Sequence, residues 1–225
     1  MTDQPAVNPM PASVIALATV IFGLEILFML ADRGIIGGAT GEMIRINAIE
    51  QYGFFGNAVD WMLQNRRFPP ELLLRFVTYP FLHFSFLNAL MACVFILALG
   101  KMVAEVFGNL AMLAIFFTAT IIGALAFGVF TDSQFPLVGS FPGVYGLIGG
   151  FTFLIWVRRK ALGQNQITAF SLIGILLGIQ LLFGLFLGSH GDWIADITGF
   201  LVGFGLSFLF VPGGWARLRE AIRKR

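Results

Sequence analysis

The sequence predicts an all-α polytopic membrane protein whose chain crosses the bilayer six times. Three observations carry this. The 225 residues are 58% hydrophobic and only 12% charged, with a mean hydropathy of +0.88; a water-soluble domain is usually about 25% charged. The apolar residues fall into segments near the roughly 20 residues that a helix needs to cross the hydrocarbon core. Most connectors between them are short, and a chain in lipid must satisfy its backbone hydrogen bonds within each segment, which for runs of this length means helices.

Taken in order, residues 1–12, MTDQPAVNPMPA, form a polar tail that contains proline and lacks the basic stretch of a signal peptide. Ser13 to Ala31 is the first span and holds one ionisable residue, Glu25. Asp32 to about Thr78 is a long first loop. Its five arginines (Arg33, Arg45, Arg66, Arg67, Arg75) are matched by five acids (Asp32, Glu42, Glu50, Asp60, Glu71). It also carries Phe54, Phe55, Trp61 and Met62. Aromatic and arginine side chains together suit amphipathic pieces lying at the membrane–water interface. Five more spans follow near 79–99, 108–130, 142–157, 167–187 and 193–211. The membrane domain thus runs over 13–211, and PGGWARLREAIRKR, residues 212–225, is a basic tail.

Six spans return both termini to one side. That side gathers Lys101 from the 2–3 connector, Arg158, Arg159 and Lys160 from the 4–5 connector, and Arg217, Arg219, Arg223, Lys224 and Arg225 from the tail, nine of the fourteen basic residues. Short loops rich in Lys and Arg stay in the cytoplasm, so both termini are expected there, and a bacterial inner membrane suits so compact a chain. Other chemistries are poorly supplied. One cysteine, Cys93, allows no internal disulfide, and two histidines, His83 and His190, form no metal cluster. No cofactor is expected. Phosphate-binding, dinucleotide and nucleic-acid patterns are missing from the sequence.

Glycine spacing predicts which spans cross closely, because small residues let helix backbones approach in lipid. Gly199 and Gly203, followed by Gly205, share a face of the sixth span. Gly143, Gly146 and Gly150 do the same in the fourth, and Gly123 and Gly128 mark the third. A crossing of spans four and six brings Phe141, Pro142 and Tyr145 towards Asp196.

Several stretches together resemble the rhomboid intramembrane protease family. RFVTYPFLHFSFLNALMACVFILALG, from Arg75 to Gly100, resembles the end of the family's first loop and its second helix. Arg75 stands where the family keeps a loop arginine, with Leu74 in place of the usual tryptophan. Glu105 and Gly108 resemble the turn between helices two and three. GSFPGVYGLIGG (Gly139 to Gly150) resembles the start of helix four, and DWIADITGFLVGFG (Asp192 to Gly205) resembles helix six. The resemblance spans residues 15–211 and implies a six-transmembrane-helix rhomboid-like bundle with a long interfacial first loop.

The same resemblance implies a lost active site. Set against the family's Gly-x-Ser-Gly motif, Gly139 takes the first position, Phe141 the nucleophile's and Pro142 that of the next glycine. The family's general base is a histidine three residues before a glycine; with Gly199 as that glycine, Asp196 holds its place. In helix two the family's His, His and Asn positions read His83, Asn88 and Ala92, and the last two usually help to hold the oxyanion. Serine attack requires a nucleophile with a base in reach and donors for the developing charge. Phenylalanine offers no nucleophile, and Ala92 cannot donate.

The expectation is a pseudoprotease that binds transmembrane segments of other membrane proteins as chaperone, adaptor or complex subunit. The second reading is a protease using Ser140 with His83 or His190, against which stands the capping or loop role serine commonly plays at a helix start. A transporter or ion-conducting protein ranks third, since Glu25 and Asp196 are few titratable groups for a relay. Asp196 itself reads either as a capped carboxylate reached by water or as a polar feature of a client cavity, bonded to Tyr145 or His83. A central charge in a span costs about 2.5–3.5 kcal/mol, so either role needs a partner or water. Glu25 reads as a carboxylate turned to the bundle, snorkelling to the interface, or touching a partner.

Overall fold

In the computed structural model the described residues are 9–187 and 191–211, the side chains of 180–187 excepted. The expected basic tail and His190 lie outside them. The helices are α1 (Ala12–Asp32), α2 (Gly41–Tyr52), α3 (Asn57–Asn65), α4 (Pro70–Thr78), α5 (Phe86–Phe107), α6 (Asn109–Phe130), α7 (Phe141–Ala161), α8 (Ser171–Leu187) and α9 (Asp192–Phe210). Among the described residues the only strand-like pairing is one antiparallel bridge, Phe54 to Leu137.

Among the described residues five helices, α1, α5, α6, α7 and α9, are long and apolar enough to cross a membrane. The 17-residue α8 occupies the place of the fifth expected span. The long first loop folds into α2, α3 and α4, as its amphipathic pieces suggest.

Several boundaries differ from the sequence reading. The second span begins at Phe86, not near 79. Tyr79–Phe81 forms a separate 3-10 turn around Pro80, whose ring bars a regular helix interior. Ser85 then caps α5, its Oγ accepting from the Asn88 backbone N–H at 3.3 Å. At its other end α5 runs on to Phe107, so Lys101 and Glu105 lie inside it, 3.9 Å apart and one turn from each other, and not in a connector. The connector is Gly108 alone, at φ +93°, a conformation that suits glycine. Likewise α7 runs through Arg158, Arg159 and Lys160; cations are favoured in a helix's last turn by its dipole.

α7 is the hub. Its apolar window is 61% buried, against 33% for both α1 and α9, and it packs against α5, α6 and α9. The predicted crossing of spans four and six is the tightest contact in the molecule. A β-carbon on Gly199 would collide with the Pro142 carbonyl oxygen, and one on Gly203 with that of Gly146. Gly143 is filled by the Phe116 ring, and Gly146 by Ala119. Gly123 receives the Ala195 carbonyl from α9, so α6, α7 and α9 meet there. Gly128 instead seats Val59 of α3 and thereby docks the loop.

A second apolar cluster fastens the first loop. Phe54, Met62, Phe76, Tyr79 and Phe127 are buried together. The Phe54 and Phe76 rings meet edge-on at 4.7 Å, geometry that adds attraction beyond burial.

Candidate functional site

The chain entering α7 comes out of the Phe54–Leu137 bridge, turns at Gly139 (φ +102°) and starts the helix at Phe141. Pro142 sits in the first turn, where its missing N–H is tolerated. Ser140 precedes the helix at the cap position, fully buried. Its hydroxyl makes no cap bond. It donates instead to the Pro80 carbonyl at 2.6 Å. The expected capping role is therefore corrected: Ser140 fastens α7 to the turn before α5.

His83 forms the other half of this corner. The Ser140 backbone N–H donates to its Nε2 at 3.4 Å, which places the ring proton on Nδ1. Nδ1 is buried with no hydrogen-bond partner among the described residues. Burial, and then the Arg45 charge, push His83 down to about 4, so the ring is neutral at physiological pH. Asn88 is close by: its Oδ1 lies 3.4 Å from where a β-carbon on Gly139 would stand. Ala92 is fully buried in the bundle core.

Phe141 packs against that same core. Asp196 is 4% exposed. Its charge acts on the phenols of Tyr79 and Tyr145. Tyr79 is buried and donates to the Thr120 carbonyl at 2.9 Å; burial, helped by Asp196, pushes this phenol well above its ordinary value. The carboxylate at the base position thus lies within electrostatic reach of two phenols, one on α7 and one in the loop.

Glu25 resolves to the bundle-facing reading. It is 1% exposed and paired within the chain. Arg45 of α2 reaches it with both ends of its fork, at 2.9 Å and 3.1 Å. The same guanidinium bonds Asp32 at 2.8 Å and donates to the His83 carbonyl at 2.7 Å, and it lies 5.2 Å from the Phe28 ring centre. Burial opposes the charge on Arg45, but its bonds to Glu25 and Asp32 outweigh that and raise its pKa. Bidentate geometry is what makes a partly buried ion pair strong. A chain of contacts therefore runs from α1 through Arg45 and His83 to Ser140. Arg45 was the residue missed from the sequence, where it was one of five loop arginines. The available signal was Glu25, an apolar-span acid that needed a counter-charge.

Arg75 lies apart from this corner. It donates to the Gly53 carbonyl at 3.2 Å and sits 5.4 Å from the Phe55 ring centre. Trp61 is on the outer face of α3, 44% exposed. Neither touches Ser140 or His83 by any described bond.

Sequence comparison covers the region that holds the α7–α9 crossing. The Rhomboid domain profile covers residues 70–213. The chain belongs to the rhomboid family. This rhomboid is also 27% identical over 137 residues to a Bacillus subtilis (strain 168) protein described as "Putative rhomboid protease YdcA", a match that covers 61% of this chain and 67% of that one. Family and helices together make it a multi-pass membrane protein of rhomboid fold.

Proposed function

We propose that this rhomboid is non-catalytic and binds transmembrane segments of other membrane proteins, as an adaptor, chaperone or complex subunit. One observation carries the reading: the two positions of the expected dyad hold Phe141 and Asp196, on helices whose glycine crossing is nonetheless tightly kept. The framework that would present a site survives, while the side chain at its head is an aromatic ring with no nucleophilic atom. Phe141 is partly buried and offers apolar contact to a helix. We place the protein in a bacterial inner membrane, with the ends of α5 and α7 that bear Lys101, Arg158, Arg159 and Lys160 in the cytoplasm.

The test is proximity crosslinking from a photoreactive residue at Phe141, followed by purification in mild detergent. Membrane proteins captured through apolar helices support the reading. A partner-free monomer across several detergents and growth states overturns it.

A proteolytic reading has one observation in its favour: Ser140 and His83 are neighbours. Against it, the His83 Nε2 faces the Ser140 backbone N–H, and the Ser140 hydroxyl is given to Pro80. A base held near 4 also takes a serine proton poorly at neutral pH. Fluorophosphonate labelling and cleavage of a transmembrane substrate, both lost in Ser140→Ala, would establish this reading in place of ours.

A further inference from the structure

The loop-bearing face carries a groove that the dyad positions do not use. A basin of about 650 Å³ between α3 and α4, walled by Trp61 and Leu72, adjoins a narrow pocket of about 110 Å³ through their shared residues Phe55, Asn57 and Asp60. Through Thr131, Asp132, Ser133 and Gln134 that pocket adjoins a second basin of about 560 Å³, which ends on Trp193 of α9. None of the residues lining these three spaces comes from α5, α7 or α8.

The chemistry along the groove is uneven. The narrow middle is walled by two carboxylates, Asp60 and Asp132, two amides and two hydroxyls, with Phe55 beside them and no basic residue. Among the described residues neither Asp60 nor Asp132 has an ion-pair or hydrogen-bond partner. Arg75 lines only the first basin, where the Gly53 carbonyl and Phe55 ring engage it. Each basin exposes a tryptophan, Trp61 at 44% and Trp193 at 42%. An acceptor-rich waist between two aromatic basins complements one cationic side chain flanked by apolar ones. The carboxylates disfavour an anionic lipid headgroup.

We propose that this groove docks the extramembrane flank of a client membrane protein, an extended segment whose lysine or arginine sits between Asp60 and Asp132. The proposal rests on the client-binding reading in making the occupant a membrane protein's flank. It adds where that flank runs and what charge it carries.

The experiment uses the full chain in phosphatidylcholine nanodiscs with a photoreactive residue at Gln134. The probes are leucine-alanine transmembrane peptides whose two flanks carry paired lysines, paired glutamates or paired serines, and the lysine flank alone as a soluble peptide. Exposed charge pairs of this kind give roughly three- to tenfold preference. The lysine-flanked peptide is expected to label position 134 by about that factor over the glutamate-flanked one, and Asp60→Lys with Asp132→Lys reverses the order. Both aspartates are exposed, so these variants keep the fold; a tryptophan emission spectrum matching the parent checks it. Equal labelling by all flanks, an order unchanged by the two substitutions, or labelling of a second copy in peptide-free discs overturns the proposal. If no spanning peptide binds while the soluble lysine flank still labels position 134 with the same charge preference, the groove stands and the client-helix reading falls.

Discussion

α8 and α9 carry the same small-residue signature and use it oppositely. In α9, Gly199 and Gly203 lie against the backbone of α7, with no room for a single added carbon. In α8, Gly174 and Gly178 have the same spacing, yet a β-carbon on either would meet nothing within 4 Å. Ile175 and Ile179 beside them are 62% and 47% exposed, and α8 touches the bundle through α7 and the 166–170 turn. The glycine spacing alone therefore does not create a contact. It permits one, and the permission is used where a second helix brings its own glycines to the same level, as Gly146 and Gly149 do.

The difference can be tested at several strengths. The largest effect is expected from α1, the helix locked by charge where α8 has no charged residue at all. Arg45→Ala leaves Glu25 buried and unpaired, and breaking such a pair costs about 3–5 kcal/mol. The folded fraction in detergent should fall steeply, and Glu25→Gln added to Arg45→Met should recover most of it. A double variant as unstable as Arg45→Ala would show that α2 is held by something else. Next comes Gly203→Val, which drives a side chain into the Gly146 carbonyl. Overpacking of this kind costs about 1–3 kcal/mol and occasionally more, and thermal unfolding should shift down accordingly.

The third probe is pH. His83 has a folded value of about 4, below its ordinary 6.5, so between those values the unfolded chain binds the extra proton. Stability is complete above about pH 6.5 and falls on acidification, by about 2 kcal/mol at pH 5. His83→Asn should flatten that slope; an equal slope in the variant assigns it to another group. The smallest effect belongs to α8. Gly178→Ala should raise stability by up to about 1 kcal/mol, through helix propensity alone. A loss as large as that of Gly203→Val would erase the distinction between the two helices.

Much of this architecture was legible in the sequence because lipid imposes a simple rule on length and polarity. The spans, the loop helices and the α7–α9 crossing follow from apolar run length, from aromatic and arginine clustering, and from glycine spacing. The late start of α5 was not legible from hydropathy, since Tyr79–Leu82 is as apolar as a span; Pro80 and the Ser85 cap decide it. The corner residues were readable by position but not by bond. That Ser140 turns to Pro80 while its amide meets His83 depends on the turn at Gly139, which a one-dimensional pattern does not fix. Asp196 showed the same limit: its place in the helix was readable, but its burial beside two phenols depends on which elements pack over it.

The Arg45 clasp also closes over a short stretch of chain. Glu25 precedes its partner by only 20 residues, so the counter-charge follows α1 closely in the chain. The mean hydropathy of 2.5 in α1 tolerates one acid, at an insertion cost of about 2.5–3.5 kcal/mol or less, depending on depth. Once α2 settles on the surface and Arg45 reaches down, the pair acts as a ratchet: withdrawing α1 from the nascent bundle then means parting two charges where water is scarce. The first span is committed by a residue outside it, one that lies ahead of the glycine-bearing helices in the chain.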